Sequence, residues 1–360
     1  MNSWLVRMVG CVAVALIMVA APARGQGACD ADVDGNGTVG APDLAAVLSA
    51  WGPCAGCAAD VDGSGAVDGG DLGALLVLWG SSCSPLPWAT VLEQSPDPAI
   101  VTSGSLRKAI AATGLPWRVR DNLTNIEMVL IPPGTFNMGC SASNQWGCFS
   151  AENPVHAVTL TNAFYMGRYE VTQAQWTARM GSNPSFFQLA SAEVPAAQVP
   201  NRPVEQVSWT TIQGFLSVTG MRLPTEAEWE YAYRAGTTTA FHGWPAQTAG
   251  TNDDTLVGNI AWFSSNSNSQ TRPVGSKAPN GFGLHDMSGN VFEWVNDWYS
   301  DSYYASSPST NPPGPATGSH RVLRGGSWNL VTIFLRSSLR SNLTPGNTFN
   351  TIGFRVARAP

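Results

Sequence analysis

A duplicated acidic loop constrains the N-terminal part of this chain more than any other feature. The run Asp32-Val-Asp-Gly-Asn-Gly returns from Asp60 onward as Asp-Val-Asp-Gly-Ser-Gly, and each copy continues into Asp-Leu and ends in Trp-Gly. In a twelve-residue loop, oxygens at positions 1, 3, 5, 7, 9 and 12 surround Ca²⁺, while a glycine at position 6 makes the sharp turn. Two copies in one register therefore predict two calcium sites rather than two acidic surface turns.

The predicted ligands follow from those positions. The first loop supplies Asp32, Asp34, Asn36, the Thr38 carbonyl and Asp43, with a water in place of a side chain at Gly40. The second loop supplies Asp60, Asp62, Ser64, the Ala66 carbonyl, Asp68 and Asp71. The last ligand is aspartate rather than the bidentate glutamate of a calcium sensor. A helix is predicted after each loop, because Leu44 and Leu48, like Leu72 and Leu76, recur at helical spacing.

The first 25 residues have the pattern of an export signal. Arg7 precedes an apolar run over residues 9–20, and a small-residue Ala-Pro-Ala stretch ahead of Gly25 resembles a cleavage region. An uncleaved anchor is the alternative, but the run is short for a membrane span. We therefore predict a protein that is secreted, extracellular or attached to the cell surface, with the periplasm as the alternative compartment and no membrane span.

Cysteine usage agrees with export. Six cysteines follow the signal: Cys29, Cys54, Cys57, Cys83, Cys140 and Cys148. An even number in an exported chain indicates disulfides. Because cysteines bracket each acidic repeat, we predict the pairs Cys29–Cys54 and Cys57–Cys83, with Cys140–Cys148 closing a local loop. A zinc site at Cys54-Ala-Gly-Cys57 is the weaker alternative.

Composition points to a loop-rich second domain. Charged residues make up 12% of the chain, whereas Gly (37), Pro (25) and Trp (14) are plentiful, which argues against a long helical bundle. The net charge of −6 and the lack of a basic cluster argue against nucleic acid as a partner. Helical spacing is confined to residues 105–112, 172–180, 208–219 and 225–235. We predict an α+β fold over residues 117–360, preceded by a Pro- and Ser-rich linker at residues 84–116.

The acidic repeats resemble a known module. A loop followed by one helix, flanked by cysteine, is similar to the dockerin module, which implies a small all-α, EF-hand-like domain over residues 29–83. The resemblance implies attachment to a cohesin-like or cell-surface protein. The positions that would select this partner carry Ala41-Pro42 and Gly69-Gly70, which are atypical.

Ordered motifs in the second domain support a second resemblance. They are Met128-Val-Leu-Ile-Pro-Pro-Gly-Thr-Phe-Asn-Met-Gly139, Tyr169-Glu-Val-Thr-Gln-Ala-Gln-Trp176, Arg202-Pro-Val-Glu-Gln-Val-Ser-Trp209, Arg222-Leu-Pro-Thr-Glu-Ala-Glu-Trp-Glu-Tyr231, Asn280-Gly-Phe-Gly-Leu-His-Asp-Met-Ser-Gly-Asn-Val-Phe-Glu-Trp294, Arg324-Gly-Gly-Ser-Trp328 and Gly353-Phe-Arg355. Together they resemble the formylglycine-generating enzyme (sulfatase-modifying factor) family. That family implies a loop-rich α+β architecture related to C-type lectins.

Two further expectations come with this family. Its structural calcium site maps onto Asp286, the carbonyls of Gly289 and Val291, and Glu293, where hard oxygens suit Ca²⁺. The alternative is a turn whose carboxylates cap backbone amides. A second family site would begin at Asn259 and Ile260, but the loop that carries its other ligands is shortened here.

Glu226, Glu228 and Glu230 are predicted to serve helix capping and surface charge rather than acid–base catalysis, because Thr225 and Glu228 form a capping box.

The family's copper ligands are missing. Active members bind copper through two cysteines five residues apart after Gly-Gly-Ser, since soft thiolates suit Cu(I). Those positions are Leu330 and Leu335 here. Leucine cannot bind copper, so we expect no copper and a non-catalytic binding or scaffold domain. The alternative from another class is an oxidoreductase that acts on protein cysteine by an altered mechanism.

The segment that replaces the copper site is a candidate ligand face, with an unknown protein or glycan as its ligand. Its residues are Asn329, Leu330, Val331, Ile333, Phe334 and Leu335. Either these side chains fill a defunct site as core, or they form an exposed binding surface. Lectin-like receptors diversified by retroelements have the same frame, and residues 329–352 use only amino acids that a mutated AAC codon can encode. A diversified ligand receptor is therefore a further alternative.

Overall fold

A computed structural model of the chain describes residues 30–35, 37–54, 56–81, 86–141 and 147–360. These residues form two compact units, unit 1 up to residue 81 and unit 2 from residue 86 onward. The predicted signal at residues 1–25 lies outside the described residues. Within the described ranges, no helix has both the length and the apolar character needed to cross a bilayer.

Unit 1 contains two helices and a short two-stranded ladder. The elements are α1 (Ala41–Ser49), β1 (Gly52–Pro53), β2 (Ala66–Val67) and α2 (Gly69–Val77). Val47 and Leu75 are the fully buried apolar side chains of the two helices, whereas Leu48 and Leu76 are about half exposed. The prediction of an all-α module is therefore incomplete, because β1 pairs antiparallel with β2.

Unit 2 is a mixed α and β structure with long irregular connections. Its strands are β3 (Ala89–Glu93), β4 (Arg118–Asp121), β5 (Glu127–Ile131), β6 (Gly134–Met138), β7 (His156–Leu160), β8 (Phe164–Gly167), β9 (Ala261–Trp262), β10 (Ser288–Gly289), β11 (Phe292–Trp298), β12 (Arg321–Arg324), β13 (Ser341–Leu343), β14 (Ile352–Gly353) and β15 (Ala357–Arg358). Its α-helices are α3 (Gly104–Ala111), α4 (Gln173–Met180), α5 (Trp209–Thr219) and α6 (Glu226–Arg234). This agrees with the predicted loop-rich α+β class.

Two sheets organise the core of unit 2. A five-stranded sheet has the order β15-β8-β5-β4-β3, and a four-stranded sheet has the order β13-β12-β11-β14. In the central strand β5, residues 128–131 are all fully buried, which explains why this strand is a continuous apolar run. A smaller core beside the main one, named the small core below, consists of Ala240, Phe241, Trp244, Val257, Ile260, Ala261, Phe263 and Leu335.

The predicted linker at residues 84–116 is wrong over residues 86–116. Strand β3 pairs antiparallel with β4 at the edge of the five-stranded sheet. Leu86, Val101 and Ile110 are fully buried in the main core. Pro and Ser in this stretch do mark turns, but the apolar residues between them join a sheet formed by later parts of the chain.

The helices of unit 2 begin where local capping predicts. Thr172, Ser208 and Thr225 each accept a backbone N–H at the start of α4, α5 and α6. The expectation of surface charge on α6 was wrong for Glu226 and Glu230, which are buried. Their carboxylates form ion pairs with the three buried arginines Arg234, Arg324 and Arg340.

Candidate functional site

The second acidic loop of unit 1 gathers three carboxylates. One oxygen from each of Asp60, Asp62 and Asp71 lies within 4.8 Å of the others. Oδ2 of Asp60 accepts the backbone N–H of Gly65 at 2.9 Å, whereas its Oδ1 is buried and has no hydrogen-bond partner. Because a buried oxygen without a donor is costly, this arrangement suits an oxygen-seeking cation.

The last aspartate of each loop is held in its ionised form. Oδ1 of Asp71 accepts the N–H of Asp62 at 3.0 Å, and Oδ2 accepts the N–H of Asp68 at 2.8 Å. Burial acts to raise the pKa of Asp71, but these backbone donors outweigh it and hold the pKa below its usual value. Asp43 has the same environment, with the N–H groups of Asp34 and Gly40 as donors.

The first loop repeats this geometry. Asp32, Asp34 and Asp43 also bring one oxygen each within 4.8 Å of the others. Oδ2 of Asp32 accepts the N–H of Gly37 at 2.8 Å, which corresponds to the Asp60–Gly65 bond of the second loop. The predicted ligand Asn36 lies outside the described residues.

Asp68, a predicted calcium ligand, also caps a helix. Its Oδ1 accepts the N–H of Gly70 at 2.7 Å, so it caps α2 and stands apart from the three grouped aspartates. The hydroxyl of Ser64 donates to the Ala66 carbonyl at 3.0 Å, which places these two predicted ligands in contact. Position 9 of the loop is also the residue before the first turn of α2, and capping uses one of its carboxylate oxygens.

The cysteines of unit 1 pair differently from the prediction. Cys54 is joined to Cys57, so the predicted Cys29–Cys54 and Cys57–Cys83 pairs are wrong. A turn in which the N–H of Cys57 donates to the Cys54 carbonyl at 3.1 Å brings their Cα atoms to 5.6 Å, within disulfide reach. Cys29 and Cys83 lie outside the described residues. The predicted Cys140–Cys148 disulfide is present.

The candidate ligand face in unit 2 is partly core and partly surface. Leu335 is fully buried in the small core, and Leu330 packs against the same cluster. Val331 and Phe334 are 54% and 36% exposed, and Asn329 is exposed as well. Residues 329–335 are called the apolar segment below. They are neither all core nor all exposed surface, because buried and exposed side chains are mixed around a short 3₁₀ turn.

A rigid frame holds the apolar segment. Gly326 has a positive φ of 75°, and a Cβ there would lie 2.6 Å from the Phe334 carbonyl oxygen and closer still to the Leu335 side chain. Only glycine allows this approach. On the other side, Arg336 is fully buried and forms a two-pronged ion pair with Glu152 at 2.7 and 2.8 Å. The segment thus spans two fixed points.

Phe149 extends the exposed part of the face beyond the residues that the motifs indicate. Its ring stacks on that of Phe334, with centroids 6.4 Å apart and planes 9° from parallel. Phe149 is 47% exposed and directly follows Cys148 of the disulfide. The sequence offered only a weak signal for this contact, an aromatic residue beside a loop-closing cysteine.

The two positions assigned to copper by family resemblance hold no metal-binding atom. Leu330 and Leu335 pack as side chains of the small core. Residues 85–360 contain two cysteines, Cys140 and Cys148, and the two are joined to each other. Without a free thiolate, this donor set does not fit Cu(I).

Glu293, a predicted ligand of the calcium site in unit 2, already has hydrogen-bond partners. Both of its carboxylate oxygens accept from the Arg355 guanidinium, at 2.6 and 2.7 Å, and Trp229 donates to one of them as well. Asp286 retains one buried oxygen without a hydrogen-bond partner. Gly289 lies in β10 and Val291 donates its N–H to Glu170. Arg355 balances the Glu293 charge, and calcium binding by Asp286, Glu293 and the carbonyls of Gly289 and Val291 stays a prediction.

The second family calcium position lies at the small core. Ile260 is fully buried in the small core, and the Asn259 carbonyl accepts the N–H of Ala278 at 3.0 Å. The backbone there serves the fold of unit 2.

Comparison with known proteins relates unit 2 to one family. A model of the sulfatase-modifying factor enzyme 1-like domain matches residues 115–360. The formylglycine-generating enzyme of Streptomyces coelicolor is 32% identical over 288 residues, covering 64% of this chain and 88% of that protein. Among solved structures, Treponema denticola variable protein 1 (32% identity, TM-score 0.57) is covered to 95%, with 65% of this chain aligned. PvdO from Pseudomonas aeruginosa (30% identity, TM-score 0.55) is covered to 98%, with 68% of this chain aligned. The chain therefore belongs, through residues 115–360, to the sulfatase-modifying factor enzyme 1-like family.

Proposed function

We propose that this protein is an exported binding protein whose family domain recognises a ligand and does not oxidise cysteine. The observation that carries the proposal is the identity of residues 330 and 335. Both are leucine, both pack in or against the small core, and the two cysteines of unit 2, Cys140 and Cys148, are joined in a disulfide. Copper-dependent oxidation of a substrate thiol needs a soft ligand that this site lacks.

The exposed side chains of the apolar segment supply the binding role. Val331 and Phe334 are exposed to water, and Phe334 stacks on the exposed Phe149, which folding alone does not require. Exposed apolar side chains that adjoin one another mark interaction sites more often than isolated ones do. A protein or glycan ligand would cover them.

Unit 1 supplies attachment in this proposal. Three grouped aspartates in each loop, with a buried unpaired oxygen on Asp60, fit a calcium ion. Asp32, Asp34 and Asp43 would hold one ion, and Asp60, Asp62 and Asp71 the other. Calcium would stabilise the dockerin-like module for docking onto a cohesin-like or cell-surface protein, outside the cell or in the periplasm.

The decisive experiment measures copper and aldehyde together. The purified mature protein is incubated with Cu(I) and a cysteine-containing sulfatase peptide, and aldehyde is detected by hydrazide labelling. We expect no retained copper and no labelled peptide, with the Streptomyces coelicolor formylglycine-generating enzyme as the positive control. Labelled peptide above the no-enzyme control would instead establish an oxidoreductase with an altered mechanism.

A second candidate function is a diversified ligand receptor. The observation that favours it is the similarity of unit 2 to Treponema denticola variable protein 1. Residues 329–352 also use only amino acids that a mutated AAC codon encodes. Sequencing the DNA downstream of the coding region tests this idea: a reverse transcriptase and a near-copy of the 3′ coding end support it, and their absence rejects it.

A further inference from the structure

A second loop extends the candidate ligand face and is held from beneath by buried polar groups. This loop, residues 183–189, is named the aromatic loop here. The N–H of Phe187 donates to Oε1 of the fully buried Glu205 at 2.8 Å. The Phe187 carbonyl accepts from the buried Gln173 amide at 3.1 Å, and the Ser185 hydroxyl accepts the N–H of Glu205. The loop backbone is therefore fixed by side chains that are themselves packed.

The same loop presents large apolar side chains to water. Phe186 is 63% exposed and Leu189 is 82% exposed. Exposing these side chains to water does not stabilise the fold. The buried polar contacts fix the loop backbone, so the loop cannot rearrange to bury Phe186 and Leu189. A rigid loop that displays apolar side chains lowers the entropic cost of binding a partner.

The aromatic loop is continuous with the apolar segment. The Phe187 ring packs edge-on against Trp328, with centroids 5.4 Å apart, and Trp328 directly precedes Asn329. Phe186 in turn packs edge-on against Phe187 at 5.0 Å. A chain of ring contacts thus joins Phe186 to the start of the apolar segment.

Two carboxylates, Glu193 and Asp254, border this surface, and the exposed Arg179 lies at the end of α4, just before the aromatic loop. Glu193, near the end of the aromatic loop, accepts from the amides of Asn268 and Gln270. At the other end, Asp254 accepts from the Thr332 hydroxyl at 3.2 Å. Arg202, whose guanidinium lies over the Phe187 ring, is itself buried. The surface therefore has an apolar centre, with one carboxylate beyond Leu189 and another beside Thr332.

We propose that the aromatic loop and the apolar segment together form one docking surface for a protein partner that presents an apolar patch flanked by lysine or arginine. The inference rests on the proposed binding function and specifies its partner. Apolar contact supplies affinity at the centre, and opposite charge at the borders supplies orientation and a faster encounter.

The test uses fluorescein-labelled peptides and the full mature chain. The probe is Lys-Lys-Leu-Phe-Leu-Lys-Lys, with Glu-Glu-Leu-Phe-Leu-Glu-Glu and Lys-Lys-Gly-Ser-Gly-Lys-Lys as comparison peptides, measured by fluorescence anisotropy at low salt. The wild type should bind the first peptide about tenfold or more tightly than either comparison peptide. No binding of the first peptide up to about 1 mM, or equal binding of all three, overturns the proposal.

Three double variants locate the interaction, and each is checked for an unchanged thermal midpoint. Phe186→Ser/Leu189→Ser removes the aromatic loop's apolar tips, and Val331→Ser/Phe334→Ser removes those of the apolar segment. Leu123→Ser/Val218→Ser is the matched control, since both side chains are exposed apolar groups elsewhere on unit 2. We expect a loss of about tenfold or more in the first two variants and none in the third.

Each other outcome has a distinct meaning. If only Val331→Ser/Phe334→Ser weakens peptide binding, the aromatic loop is not part of the docking surface, but the proposed binding function is retained. If all three variants bind the first peptide as tightly as the wild type, both the docking surface and the proposed binding function are rejected. Binding to phosphatidylcholine vesicles that the loop variant abolishes would identify a membrane rather than a protein, and would overturn the inference.

Discussion

At the scale of single residues, Glu205 gives the most direct prediction. Burial raises its pKa to about 7, above the value of about 4.3 in an unfolded chain. A raised folded-state pKa contributes stability that is fully present below about pH 4.3 and is lost as the pH rises through 7. We expect Glu205→Gln to remove this pH-dependent loss of folding stability, which amounts to on the order of 3 kcal/mol by pH 8.

Urea unfolding between pH 5 and 8 measures this difference between the variant and the wild type. Glu193→Gln is the control, because that exposed carboxylate should leave the pH slope in place. Parallel pH profiles for wild type and Glu205→Gln would show that Glu205 does not titrate in this range.

The residues at the copper positions make a second prediction. The Gly-Gly-Ser frame of residues 325–327 persists, so Leu330→Cys/Leu335→Cys should bind Cu(I) while the wild type does not. Because Leu335 is fully buried, the smaller side chain should also lower stability by about 1–3 kcal/mol. Competition with a chromogenic Cu(I) chelator reads out the binding. Equal copper content in both proteins would contradict our account of the site.

At the scale of elements, the acidic loops predict calcium binding that depends on the grouped aspartates. Isothermal titration of the mature chain should show two sites, and Asp32→Ala/Asp60→Ala should abolish both. Asp68→Ala is the matched control. Its carboxylate caps α2, so we expect about 1 kcal/mol less stability but calcium binding at the second loop. Heat indistinguishable from buffer in the wild type would remove the calcium assignment.

Elements defined by neighbouring residues were predictable, whereas those defined by distant contacts were not. Capping residues such as Thr225 lie next to the helices they start, so α4, α5 and α6 could be predicted almost to the residue. The place of β3 depends on pairing with β4, across the intervening α3, and an isolated strand carries no such information. The spacing after Gly-Gly-Ser located the apolar segment. Its split into buried Leu335 and exposed Phe334 depends on the small core, whose members lie far away in sequence.

At the scale of the whole molecule, the unit boundary predicts where the chain can be shortened. A chain that starts at residue 86 keeps β3, α3 and the buried side chains of Leu86 and Ile110. It should unfold cooperatively with nearly the wild-type midpoint for unit 2. A chain that starts at residue 117 exposes the core that these residues cover and should lose many kcal/mol. Calorimetry measures the thermal midpoint of each shortened chain. Equal midpoints would show that residues 86–116 are a linker, as the sequence predicted.

The two fixed ends of the apolar segment have an evolutionary consequence. Gly326 and the Arg336–Glu152 ion pair determine the path of the backbone, and Leu335 fastens it to the small core. Phe334 stacks on Phe149 and Asn329 accepts from the Ser327 hydroxyl, whereas Val331 is 54% exposed and takes part in neither contact. Mutations at Val331 can therefore change what the surface recognises while the free energy of folding stays nearly constant. New specificities can arise there one substitution at a time.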